Sequence, residues 1–172
     1  DQTMHVIAEV TAAYRTLIDD LAKMAERDTL SGASIRSAIA AIKTAYFTDA
    51  DEQLGQAEES ALHAAQSDIE GAAAYLSQAA ALRSSRAVLA QVRLDYRRAA
   101  RHCWSAARCL PLRNKGERWR LARQQVALLM REVEITRDPT LLAEAIEVLV
   151  GALPLAEGAP EQDALARTKF AL

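Results

Sequence analysis

Apolar side chains return every three or four residues along almost the whole of this chain, and that spacing fits one kind of secondary structure. An α-helix turns once in about 3.6 residues, so a 3–4 repeat gathers its apolar side chains on one side; a strand needs strict alternation. The first segment shows it plainly: Ile7, Val10, Tyr14, Leu17, Leu21 and Met24 alternate spacings of three and four. Ile18 and Ala25 widen the stripe, as packing inside a bundle requires and a two-stranded coiled coil does not. Little interrupts such helices. Of 172 residues only four are proline and six glycine, while alanine occurs 37 times and the apolar fraction is 51%. Ala, Leu, Glu, Gln and Arg lose little side-chain freedom in a helix. The expected fold class is all-α, with antiparallel helical hairpins stacked as an α-solenoid or gathered in an irregular bundle.

The spacing predicts a helix over about residues 3–27 and a second, capped by Ser34, ending near Phe47; together they make an N-terminal hairpin over residues 1–50. Asp49 or Asp51 then caps a third helix to about Gln66. Ser67-Asp68-Ile69-Glu70 has the capping-box spacing and opens a fourth, to Leu82; the alternative is one helix over 52–82. Ser84-Ser85 interrupts the next stretch. Asp95-Tyr96 leads a helix to about Leu110, and Pro111 with Asn114-Lys115-Gly116 forms a loop. A long helix over 117–137 buries Trp119, Ala122, Val126, Leu129 and Val133. Asp138 as N-cap and Pro139 in the first turn start another, burying Leu142, Ala145, Ile146, Leu149 and Leu153. Gly158-Ala159-Pro160 separates it from a last partial helix. The opening at Asp1 and the end at Lys169-Phe170-Ala171-Leu172, inside an apolar helical pattern, are expected of a piece of a longer protein.

Net charge conceals an asymmetry. The whole chain sums to −2, but residues 1–82 carry five basic against thirteen acidic side chains, residues 83–137 fourteen against four, and residues 138–172 two against six. The middle block is thus +10 between acidic flanks, and all its basic residues but Lys115 are arginine. Guanidinium is a planar fork suited to carboxylate or phosphate. Arg93, Arg97, Arg101 and Arg108, spaced four, four and seven, are expected on one helix face, with Arg118, Arg120 and Arg123 on the next helix. These seven are the candidate partner-binding residues. The competing reading packs the basic helices against the acidic flanks as surface ion pairs of little energetic worth; fourteen charges cannot all be satisfied that way.

Asp95-Tyr96-Arg97-Arg98-Ala99, followed by Ala106 and Pro111, resembles the second half of a tetratricopeptide repeat. In that family an Asp-Tyr pair opens the second helix, small residues follow four and eleven positions after the Asp, and a proline closes the repeat. Ala99, Ala106 and Pro111 fall on those positions, with Cys103 at the bulky site between and Ala87 at a small position of the preceding helix. Ala145, Leu149 and Ala152 repeat the small–large–small pattern, as do Ala72, Leu76 and Ala79. The intervals of 27 and 46 residues depart from the family's ~34, and Arg83 and Ala90 stand where it places tryptophan and tyrosine. The resemblance implies TPR-like repeats over 51–172 that serve as a protein-binding scaffold.

Catalytic motifs are not found. No His-Glu-x-x-His or Cys-x-x-Cys spacing, phosphate loop or Gly-x-Ser-x-Gly elbow occurs, so no enzyme activity, metal or cofactor is expected. His5, His63 and His102 are scattered. His63 lacks the lysine and glycine that follow a phosphotransfer histidine; Ala64-Ala65-Gln66 follow instead. Asp19-Asp20 and Glu58-Glu59 read as solvated surface, and Trp104 and Trp119 as core. Cys103 and Cys109, six apart on one helix, point different ways and do not pair. Unpaired cysteines fit a reducing compartment. With no run of ~20 apolar residues and no signal-peptide pattern, the cytoplasm is the expected location, and the arginine-over-lysine bias suggests a bacterial source. The leading function is a non-catalytic protein-interaction scaffold binding a peptide or partner domain, preferably acidic, through a helical groove. The alternatives are nucleic-acid binding through the arginine face and a regulatory or homo-oligomerising domain of a larger enzyme.

Overall fold

The computed structural model describes residues 2–27, 31–68 and 71–156 of the chain. They form seven α-helices and, among the described residues, no strand: α1 (Gln2–Arg27), α2 (Gly32–Lys43), α3 (Phe47–Ser67), α4 (Ala72–Val92), α5 (Tyr96–Cys109), α6 (Lys115–Thr136) and α7 (Pro139–Ala156). Each packs on its neighbours in sequence, and α1 also packs on α4. The 52–82 segment is therefore two helices, and the expected last partial helix lies outside the described residues.

Leu17, Leu21 and Ala25 of α1 close over Ile35, Ala38 and Ile42 of α2, Leu54 of α3, and Leu82 and Leu89 of α4 in one core. Each buried leucine or isoleucine contributes roughly 2 kcal/mol of apolar transfer energy. The second half is finer-grained. Ala87 and Ala90 of α4, Ala99, Ala100 and Cys103 of α5, and Ala145 of α7 are all buried around Leu128 and Leu129 of α6. Alanine at a helix contact lets two backbones approach closely, and this accounts for the chain's composition.

Several helix ends differ from expectation. Ser31, not Ser34, stands at the N-cap of α2, and its hydroxyl donates to the Ala57 carbonyl of α3 at 3.2 Å rather than capping. Gly32 is required there, because a Cβ would lie 2.9 Å from the Ala25 carbonyl oxygen. α3 starts earlier than Asp49, at Phe47, with Tyr46 at its cap and exposed. α4 runs straight through Ser84-Ser85, whose hydroxyls bond back to the Ala80 and Ala81 carbonyls. It ends instead at Arg93-Leu94-Asp95. Leu94 takes the left-handed conformation at φ 61, Asp95 N–H donates to Ala90 O, and Leu94 N–H to Gln91 O. This is the Schellman ending, usually built on glycine. Ala45 does the same after α2, at φ 62.

α7 is turned relative to expectation. Leu141, Ala145, Ala152 and Ala156 are buried, whereas Leu142, Ile146, Val150 and Leu153 are exposed. Its residues are apolar nearly all round, so periodicity does not select a side; the small residues win the contact with α6. Among the described helices α7 alone is long and apolar enough by composition to cross a membrane, with mean hydropathy 1.5 over 18 residues. Glu144 and Glu147 interrupt it, and one side packs onto Trp119 and Ala122 of α6.

Candidate partner-binding surface

Helix α5 divides its arginines between two environments. Asp95 caps it, accepting the Arg98 N–H at 3.0 Å. Tyr96, Ala99, Ala100, Cys103, Ala106 and Cys109 then face inward. Arg97, Arg101 and Arg108 face solvent, and so does Trp104, 47% exposed, contrary to its expected place in the core; Trp119 is buried as expected. These four positions, spaced 4, 3 and 4, form a single stripe. Arg108 lies over the Trp104 ring, 4.6 Å from its centroid. α5 carries no acidic side chain, and no carboxylate among the described residues forms an ion pair with Arg97, Arg101 or Arg108. Arg97 does feel Asp138 at the head of α7. That carboxyl is held below the usual range by hydrogen bonds from Thr140 and, more weakly, by the Arg97 charge.

Arg98 sits on the inward edge of the same helix and meets Asp51. Around this pair lies an ion network that the sequence reading missed. Asp51 and Glu58, one heptad apart on α3, are 8% and 6% exposed. Arg86 of α4 bridges them, with Nε 2.8 Å from Asp51 Oδ1 and Nη1 3.0 Å from Glu58 Oε2. Arg83 completes the set, with Nε 2.6 Å from Glu58 Oε1 and Nη1 donating to Ser105 O at 3.0 Å and to Cys109 Sγ at 3.0 Å. Glu58 is thus not the solvated surface residue expected, nor is Asp51 a helix cap. The signal was present: both carboxylates border the apolar stripe Leu54, Ala57, Ala61, and two arginines three apart on α4 answer them.

The electrostatics follow from the net charge of this cluster, three guanidiniums to two carboxylates. Burial opposes ionisation of Asp51, but Arg86 and then Arg98 outweigh it and hold the carboxyl below its ordinary value. His102, one turn beyond Arg98, is pushed down to about 4 by burial and by the Arg86 charge, and its Nε2 is buried without a hydrogen-bond partner. It is neutral at neutral pH. Cys103 is raised to about 12, chiefly by burial, and Cys109 is raised for the same reason, so neither thiol is an activated nucleophile.

The remaining candidates are dispersed. Arg93 is the C-cap of α4, not a member of the α5 stripe, because the Leu94 turn intervenes. Arg118 is half-buried, its Nε shielded and without an acceptor. Arg123 is half-buried and engaged within the chain. Arg120 is neutralised locally by Glu117, with its Nε 2.9 Å from Oε2. It lines an open groove of about 590 Å³ between α1, α4 and α6, together with Asp20, Lys23, Arg27, Ser85 and Gln124. The α5 arginines do not line that groove, so the seven candidates do not share one site. No cluster of three His, Cys, Asp or Glu side chains suited to a metal occurs among the described residues. Compared with protein-family models, with curated proteins and with solved structures, the chain matches none.

Proposed function

We propose that this chain is a non-catalytic protein-interaction scaffold, a tetratricopeptide-like helical array that holds an acidic partner against the outer side of α5. The observation that carries the reading is the stripe Arg97, Arg101, Trp104, Arg108: three exposed guanidiniums that form no ion pair with a carboxylate among the described residues, around an exposed indole. A solvated arginine face needs no tryptophan, and tryptophan with arginine is the pair enriched where protein partners anchor. The repeat reading is supported by Ala87, Ala99 and Ala106, each fully buried between helices, and by Pro111 directly after Leu110, the C-cap of α5.

The same stripe supports a second reading, single-stranded nucleic acid, since the indole can stack on a base while arginines hold phosphates. The two separate in one experiment. Fluorescence anisotropy is followed for a labelled glutamate-rich peptide and for a random-sequence oligonucleotide across a salt titration. The scaffold reading expects the peptide to bind and Arg97→Ala with Arg101→Ala to weaken it about tenfold or more, as lost charge-assisted contacts do. Tighter binding of the oligonucleotide at every salt concentration selects the second reading.

A further inference from the structure

Helices α3 and α5 divide charge cleanly between them. α3 holds five carboxylates and no lysine or arginine; α5 holds four arginines and no carboxylate. On their inner sides the two already attract one another. Arg98 meets Asp51, and Arg83 of α4 joins Glu58 to the Ser105 carbonyl. On its outer side each keeps a row of one sign. Glu52 and Glu59, one heptad apart, lie across α3 from the buried Leu54, Ala57 and Ala61 and are exposed. Neither forms an ion pair among the described residues. The inner contacts fix where the two rows stand. α3 and α5 both pack on α4, each joined to it by a short turn, so they run in the same direction. The Arg98–Asp51 contact closes the gap between them, so they lie side by side, and the rows opposite their buried sides leave the same face of the array. Asp51 and Arg98 are 47 residues apart, and so are Glu58 and Ser105, which sets one register along both helices. In that register Glu52 stands between the levels of Arg97 and Arg101, and Glu59 between those of Trp104 and Arg108, each within about 3 Å along the axis.

We infer that a second copy of this chain is the acidic partner of α5, docked face to face about a two-fold axis that runs between α3 and α5 and parallel to them. Such an axis lays α5 of each copy along α3 of the other, in the same direction and at the same level. Glu52 of one copy enters between Arg97 and Arg101 of the other, and Glu59 between Trp104 and Arg108. The interface is isologous, so both rows are matched twice. A two-fold axis across the helices would lay α3 on α3 and α5 on α5, like charge on like, which opposes docking. Exposed ion pairs are weak singly, so the arginines together with the indole act as the anchors of a salt-sensitive dimer. The inference rests on the reading of α5 as a surface for acidic partners and adds which partner fills it. A foreign acidic segment then binds by displacing the second copy.

Sedimentation velocity on the whole chain is expected to show a monomer–dimer equilibrium at low salt that moves to monomer as salt rises. Two charge-reversed variants test the pairing: Glu52→Arg with Glu59→Arg, and Arg101→Glu with Arg108→Glu. All four positions are exposed, and circular dichroism stays unaltered. Each variant alone raises the dimer dissociation constant about tenfold or more, since like charges then face each other. Mixed in equal amounts, the two variants recover a dimer, because each meets rows of the opposite sign. A native chain that stays monomeric at every concentration, a dimer indifferent to both reversals, or a mixture that stays monomeric overturns the inference. The glutamate-rich peptide scores the α5 reading separately. If the peptide binds a monomeric chain and Arg97→Ala with Arg101→Ala weakens it, that reading stands and the dimer falls. If no dimer forms and no peptide binds, both fall.

Discussion

Arg98 and Arg101 stand one turn apart on the same helix and live in different electrostatic worlds. Arg98 reaches Asp51 and joins four other charged side chains clustered between α3, α4 and α5, while Arg101 is exposed and forms no ion pair among the described residues. The inward group ties three helices in register: Arg86 bridges Asp51 and Glu58 of α3, Arg83 joins Glu58 to Ser105 and Cys109 of α5, and Arg98 of α5 meets Asp51. Among the described residues the outward group forms no ion pair, and Arg108 touches only its own helix, over Trp104. A basic block in a sequence is thus not one feature: where acidic residues on a neighbouring helix fall opposite, it becomes structure, and where they do not, it is left for a partner.

The comparison breaks most visibly at Asp51. Asp51→Ala leaves Arg86 and Arg98 without their main acceptor, and removing one member of a buried ion network costs about 3–5 kcal/mol. Urea unfolding should show that loss, whereas Asp49→Ala, exposed on the same helix, changes stability by less than about 0.5 kcal/mol. Equal effects would make the network ornamental.

Acid should separate the two groups next. Unfolded, His102 takes its proton near pH 6.5, but in the fold only near 4. Below 6.5 the unfolded state therefore binds more protons, and stability falls between pH 6.5 and 4 by at most about 3 kcal/mol, less what solvent screening of the half-buried imidazole removes. Asp51, whose carboxyl is lowered in the fold, contributes stability above its unfolded value of 3.8 that is lost further down, in the same direction. His102→Asn flattens the upper window in thermal melts at stepped pH, and Arg97→Ala leaves it unchanged.

A smaller effect sharpens the packing of the network. Gly55 lies inside α3 beneath Arg86, where a Cβ would sit 3.5 Å from the guanidinium, an ordinary contact. Gly55→Ala should stabilise the fold by roughly 0.5–1 kcal/mol through helix propensity alone. A destabilised variant would mean that the guanidinium has no slack above α3.

Smallest of all is the expected effect of Arg101→Ala on stability, under about 0.5 kcal/mol by denaturant midpoint. A larger loss would place this arginine with Arg98 rather than with the binding stripe.

How much was legible follows from particular residues. The heptad-like stripe of α1 and the Asp138-Pro139 start of α7 needed no tertiary information, because periodicity and capping act within a turn or two of their own helix. Leu94 and Ala45 concealed two helix ends. The left-handed turn is usually announced by glycine, and here it rests on residues that are strained in it by about 1–2 kcal/mol, held by the packing of the helices on either side. Arg93 was misplaced for that reason alone. Of the proposed binding surface, Arg97, Arg101 and Arg108 were readable from their spacing. The solvent position of Trp104 was not, since a tryptophan beside Cys103 and Ala106 fits a core equally well.

Local spacing by itself determined that this protein is helical, roughly where most helices run, and that its middle third is cationic, because helix formation and net charge are properties of neighbouring residues. Only the tertiary structure decided which guanidiniums were consumed by Asp51 and Glu58 and which side of the largely apolar α7 faces α6. Those choices depend on what stands opposite, tens of residues away in the chain, and a one-dimensional pattern carries no record of the facing helix.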